Sequence, residues 1–223
     1  MRSSLLLRLW LLAIGLIIVG LAAVDAVQPA RAEKTFPPLF NTKEAESRRL
    51  QPFQKWNGML ERQVNERKLY DGPCNAKRFN RCHLAEWRAL LASLADKDRR
   101  TQIIAVNEFM NKASYIEDMP NWGVPDYWAT PLQFLTKEGD CEDYAIAKFV
   151  SLRTLGFTND ELRIAVVDDT NLQQPHAILV VYLDDQALVL DNQIPEVVPS
   201  AVIRHYRPIY SINEDTWWLH TAP

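Results

Sequence analysis

The sequence predicts an α+β fold of one domain behind a removable leader, and two observations carry that expectation. Up to about residue 155 apolar residues recur every three or four positions, the period of amphipathic helices. From residue 162 the pattern changes to short β-branched or apolar runs parted by acidic turn signals. Helices first and strands afterwards, with no internal repeat or low-complexity segment, imply α+β. The charge balance, 25 Lys+Arg against 28 Asp+Glu, gives a formal net of only −3 over 223 residues and offers no footprint for nucleic acid. A chain that is 48% hydrophobic and 24% charged is also not a disordered polymer.

Residues 1–32 read as a secretory signal peptide. Arg2 and Arg8 precede an apolar run over 9–24, and the small-x-small triplet Ala30-Arg31-Ala32 follows Asp25, Gln28 and Pro29. That run is shorter than the roughly 20 residues that span a bilayer, which favours cleavage over an uncleaved anchor. Either way residues 33–223 are expected outside the cytoplasm. Cleavage leaves 22 basic and 27 acidic residues, a mildly acidic domain of net charge −5. Disulfides persist in such a compartment, and Cys74 and Cys82 lie close enough along the chain to close a small loop. Cys141 is then the free thiol, a liability in an oxidising compartment unless it has a use.

The elements follow in order. Leu50, Phe53, Trp56, Leu60 and Val64 recur at three and four, predicting a helix from Thr42 to about Lys68 that Asp71-Gly72-Pro73 ends. Leu84, Trp87, Leu90, Leu91 and Leu94 mark a second helix, and Ile103, Ile104, Val106, Phe109 and Met110 a third. All three stripes read as packed core. From Tyr115 to Thr130 no period survives; Pro120, Trp122, Gly123, Pro125, Tyr127 and Trp128 mix turn chemistry with aromatics, as in a structured loop over the core or along a cleft. Thr130-Pro131 is an N-cap and first-turn pair for a short helix. Asp140 can then cap a helix running through Ala145, Ile146, Phe149, Val150, Leu152 and Leu155 and stopping at Gly156. Three strands of an antiparallel meander follow over 162–167, 177–183 and 187–190, with a further strand near 209–212. Trp217 and Trp218 read as the lid of the core.

Chemistry gathers where the fifth of these segments begins. Cys141 opens its helix, where unpaired backbone N–H groups and the dipole favour a thiolate. Its neighbours Asp140, Glu142 and Asp143 oppose that, because adjacent carboxylates raise a thiol pKa. A cation held by those carboxylates would cancel the repulsion, and all-oxygen ligands outside the cytoplasm point to calcium. The alternative is that the three acids only serve the helix N-terminus. Of the four histidines, His83, His176, His205 and His220, the one at position 176 can be tested by register. If Asp184-Asp185 is a two-residue turn, Leu183 faces Gln186 and Asp191 lies opposite Ile178. His176 and Asp191 then become diagonal neighbours on one sheet face, about 7 to 8 Å apart at the backbone and within side-chain reach. A three-residue turn would put them on opposite faces. Cys141, His176 and Asp191 thus have the order of nucleophile, base and orienting acid.

The block GDCEDYAIAKFVSLRTLGF, followed by PHAILVVYL and LVLDNQ, resembles the bacterial transglutaminase-like cysteine proteinase family, periplasmic adhesin proteases of the LapG type. The resemblance runs from the WATPLQFL stretch to DNQ and more loosely over the N-terminal helices, where the Cys74 and Cys82 pair has no match in the family pattern. It implies a papain/transglutaminase-like fold with N-terminal helices packed on an antiparallel β-sheet and the nucleophile at a helix N-terminus. Carried over, the catalytic residues are Cys141, His176 and Asp191. The calcium ligands are Asp140 and Glu142, with Asp143 as a further candidate. It also implies a large cell-surface adhesin as substrate, cut near its N-terminus at a di-alanine type site so that biofilm disperses. An inner-membrane cyclic di-GMP receptor is the implied inhibitory partner. Two other readings stand beside this one: the same triad performing transglutaminase-type acyl transfer, and a non-catalytic binding module of the same fold.

Overall fold

The β-branched runs after residue 162 form the middle of a seven-stranded antiparallel sheet. The structure, a computed structural model, describes residues 36–66 and 81–223. The leader, the Asp71-Gly72-Pro73 stop and the expected Cys74–Cys82 disulfide lie outside what the structure describes. Strands β1 (Lys43–Ser47), β2 (Leu162–Asp169), β3 (Gln174–Leu183), β4 (Gln186–Leu190), β5 (Val198–Pro199), β6 (Tyr206–Ile212) and β7 (Trp217–Thr221) lie in the order β1-β7-β6-β2-β3-β4-β5. Helices α1 (Gln54–Glu66), α2 (Arg81–Leu94), α3 (Arg99–Met110), α4 (Asp118–Trp122), α5 (Pro131–Lys137) and α6 (Cys141–Thr154) precede β2. The expected α+β organisation is therefore present, and no helix among the described residues is long and apolar enough to cross a membrane.

The β2-β3-β4 meander has the expected register. Leu183 pairs with Gln186 and Leu179 with Leu190 across the Asp184-Asp185 turn. Both turn residues have positive φ, 50° and 57°, the type I′ conformation that matches the twist of the flanking strands. Side-chain alternation then divides the sheet between two cores. Leu179, Val181, Leu188 and Leu190 pack with the helices, among them Trp56, Phe134, Ile146 and Phe149. Ile178, Val180, Tyr182, Ala187 and Val189 face the other way, where Leu39, Ile203 and Tyr206 cover them with help from Phe36, Phe40 and Ile194.

Two expectations are corrected here. The segment from Thr42 does not begin a helix: residues 43–47 form edge strand β1, paired with β7, and α1 starts only at Gln54. Lys43-Glu44-Ala45-Glu46-Ser47 carries no apolar stripe, and Pro52 cannot continue a helix from upstream. The buried face of α1 is Trp56, Met59 and Gln63, whereas Val64 is 67% exposed. Trp217 and Trp218 do pack on the body of the protein, but as strand β7, which the sequence reading did not predict. Between the third helix and α5, the aromatic loop contains one short helix, α4, ended by Gly123 at φ +74°.

Helix α6 is buried on nearly every side from Glu142 to Leu152, as a helix enclosed by other elements must be. It packs on β3 and α3. Its N-terminus is thereby fixed beside the start of β3, which is where the chemistry predicted from sequence converges.

Candidate active site

Cys141 is the first residue of α6, half-buried and free of any disulfide. Asp140 takes the N-cap position, its carbonyl accepting from the Asp143 and Tyr144 N–H groups at 3.1 and 3.2 Å. Its side chain, against expectation, makes no capping bond. The Cys141 thiol donates to Glu142 Oε2 at 3.2 Å. Burial, and after it the Glu142 carboxylate, holds this thiol well above its ordinary pKa, while the Ala177 N–H directed at the sulfur works the other way. Ala177 follows His176 in β3, so the thiol lies against the strand that carries the expected base.

Strand register delivers that base to its acid. His176 Nε2 stands 2.9 Å from Asp191 Oδ1, both side chains buried. Three further contacts hold Asp191: the Gln193 N–H donates to Oδ1 at 2.9 Å, the Tyr206 hydroxyl to Oδ2 at 2.6 Å, and Asn111 Nδ2 to its backbone carbonyl at 2.7 Å. Burial pushes the Asp191 carboxyl up, but the hydrogen bonds from His176, Gln193 and Tyr206 outweigh it and keep the group below its ordinary value. An ionised Asp191 accepts from His176 Nε2–H, which leaves Nδ1 as the acceptor; the Gln193 side-chain amide donates to it at 3.3 Å. The imidazole is thereby held in the tautomer a base requires. The other histidines serve elsewhere: His220 bonds Thr42 and Ser211, His205 stacks edge-on with Tyr206, and His83 lines a cavity between α2, α3 and α5.

The predicted acids lie in a larger cluster. Asp140 and Asp143 converge with Asp118, and Glu142 with Asp118 and Asp126, each trio having ligand-capable atoms within 4.8 Å of one another. Sequence reasoning missed Asp118 and Asp126, which lie in the aromatic loop and share no local motif with residues 140–143. Loop and nucleophile turn are tied together: the Ile116 N–H donates to the Gly139 carbonyl at 2.9 Å, and Asp118 Oδ2 and Asp143 Oδ1 accept the N–H groups of Tyr127 and Ala129. A β-carbon on Gly139 would meet Asp143 Oδ2 at 2.1 Å, so only glycine lets that carboxylate fold back over the turn. A ladder of Lys137 over Trp122, Trp122 against Tyr127 and Arg62 over Tyr127 braces the loop from outside.

Asp118 Oδ1, Asp140 Oδ1 and Asp143 Oδ2 are buried and bond nothing. Burial raises all three carboxyls, Asp140 to about 8 with Glu142 adding to it. Orphaned buried oxygens of like charge are what a hard, multiply charged cation would satisfy, so the donor set fits calcium.

Residues 70–220 match the family model of the bacterial transglutaminase-like cysteine proteinases. Among solved structures, calcium-bound LapG of Legionella pneumophila is 31% identical with a TM-score of 0.61, covering 70% of this chain and 86% of that one. The EGTA-treated form of the same protein is 30% identical with a TM-score of 0.62, covering 71% of this chain and 86% of that one. No curated protein matches the chain significantly.

Proposed function

Since the chain belongs to the bacterial transglutaminase-like cysteine proteinase family, we propose that it is a periplasmic, calcium-dependent cysteine endopeptidase that cuts the N-terminal region of a large cell-surface adhesin. Release of the adhesin disperses biofilm, and an inner-membrane cyclic di-GMP receptor holds the enzyme inactive. The observation that carries the catalytic part is the buried His176–Asp191 pair, 2.9 Å apart, one residue from the N–H directed at the Cys141 sulfur. Calcium-bound and EGTA-treated forms of the Legionella relative support the metal requirement.

In this mechanism the Cys141 thiol turns from Glu142 to His176, whose Nδ1 takes its proton. The sulfur attacks the peptide carbonyl, and the N–H of Cys141 at the helix start helps stabilise the oxyanion. His176 then gives the proton to the leaving amine as the C–N bond breaks, and water, deprotonated by His176, releases the acyl group from sulfur. Asp191 holds the imidazole in one tautomer throughout and stabilises its charged form. Asp118, Asp140 and Asp143 would hold the calcium, which when bound supplies positive charge that offsets the acids around the thiol.

The test uses the purified protein and a peptide containing a di-alanine site. Wild type cuts it, EGTA suppresses the cut and added calcium restores it. Cys141→Ala keeps the thermal melt and loses cleavage; proteolysis persisting in that variant removes Cys141 as nucleophile. An amine donor in the same assay reports transglutaminase-type transfer by the added mass on the product.

A further inference from the structure

The lone pair on His176 Nδ1 is the one a base for Cys141 needs, and it is already taken. The Gln193 carboxamide donates to it at 3.3 Å, and the nitrogen has a single lone pair, in the plane of the ring. The Cys141 thiol is engaged as well, donating to Glu142 Oε2 at 3.2 Å. Nucleophile and base are therefore each bonded to a third group, although the Ala177 N–H directed at the sulfur places the thiol beside the strand residue that follows His176. This resting arrangement has to open before a proton can pass between them.

The local construction lets one side chain open it. Asp191 Oδ1 faces His176 Nε2 at 2.9 Å and accepts the Gln193 N–H at 2.9 Å, so the acid that orients the ring also fixes, as an Asx-turn, the root of the residue that covers it. Helix α3 pins the backbone on either side: Asn111 Nδ2 donates to the Asp191 carbonyl at 2.7 Å and Asn107 Nδ2 to the Pro195 carbonyl at 2.9 Å. Between these fixed points Gln193 is exposed, whereas His176 is only 3% exposed. Among the described residues the carboxamide has no partner besides the ring, and 3.3 Å is long for such a bond.

We propose that Gln193 is a latch on the base: its carboxamide covers His176 Nδ1 in the resting enzyme and is drawn off by a main-chain amide of the arriving peptide, so that Cys141 meets its base only once substrate is seated. A carboxamide suits this exchange, because it pairs with a peptide group as donor to the carbonyl and acceptor from the N–H. One hydrogen bond replaces another, so opening the latch takes little from binding. The proposal rests on the reading of His176 as the base for Cys141.

Gln193→Met keeps the side-chain length and removes the hydrogen bond. In the calcium-saturated protein this variant should react with methyl methanethiosulfonate, a small thiol reagent with no amide, about fivefold faster than wild type, the effect of one neutral hydrogen bond, read by mass on the peptide that carries Cys141. The gain in kcat/KM with a di-alanine peptide is smaller, because the wild-type glutamine bonds that peptide and methionine does not. An unchanged or slower reaction with the small reagent overturns the latch and leaves Gln193 as a support of the ring. Equal gains for reagent and peptide overturn the exchange with substrate. The nitrogen-15 shift of His176 Nδ1 reads the contact itself: it moves toward that of an unbonded acceptor in the variant, and an unmoved shift overturns the contact. If no peptide is cut while reagent and Nδ1 respond as stated, the peptidase reading fails and the latch stands. If peptide is cut and the reagent rate is unmoved, the latch alone fails.

Discussion

His220 is buried between Thr42 Oγ1 and Ser211 Oγ, each 2.9 Å from a ring nitrogen, and ties edge strand β1 to β6 and β7. Burial holds its pKa below the ordinary value, with Arg163 adding to the shift and Glu44 opposing it. The folded state therefore prefers the neutral ring. The stability this contributes is full above the unfolded histidine's pKa, roughly 6.5, and is lost as pH falls through the lower folded value. His220→Gln should flatten that part of the acid dependence, measured as the difference between wild-type and variant melting temperatures from pH 7 to pH 5. Equal slopes would show that His220 does not contribute. At this scale the site was partly legible. The helix-start position of Cys141 and the approach of His176 to Asp191 could be read ahead because a helix start and a two-residue turn constrain them by counting. Asp118 and Tyr206 could not, because each reaches the site from a separate element through tertiary packing that no local pattern encodes.

Among the elements, α5 shows how a short helix is held in place. Thr130 Oγ1 accepts from the Gln133 N–H while the Gln133 side chain accepts from the Thr130 N–H, a reciprocal capping box, and Thr130 Oγ1 also donates to Glu66 of α1. Thr130→Ala should cost about 1 kcal/mol in denaturant unfolding. Because α5 leads directly into the Gly139 turn, the same variant should weaken calcium binding measured by calorimetry; unchanged affinity would separate the cap from the site. This helix was readable because Thr-Pro is a local signal. Strands β1 and β7 were not readable: β1 is polar and pairs only along one side, and the aromatic content of β7 fits a core lid as well as a strand. Edge strands owe their conformation to a neighbour, and the neighbour is far away in sequence.

For the molecule as a whole, the second sheet face depends on a few residues at the start of the described chain. Leu39 is 0% exposed among Val167, Ile178 and Tyr206, and its N–H donates to Glu44, which in turn pairs with the buried Arg163 at 2.7 Å. Leu39→Ala should destabilise the whole fold by about 2–5 kcal/mol, read from the denaturant midpoint at constant slope. A loss confined to the edge strand, visible as local hydrogen exchange, would mean that the face is held without it. The two-sided sheet was only half legible. Its helix-facing core follows from the stripes, whereas the covering of the opposite face by residues 36–41 has no periodic signature. The ends of that sheet also bear on how a substrate can approach. At one edge β1 carries Lys43, Glu44 and Glu46, and at the other β5 is two residues long and contains Pro199. Charge and proline at the margins discourage another chain from adding a strand there, which protects the protein from self-association at high concentration. On the proposed peptidase reading, an extended peptide would be gripped across the loop and the start of α6, by side chains and turn backbone rather than by sheet extension.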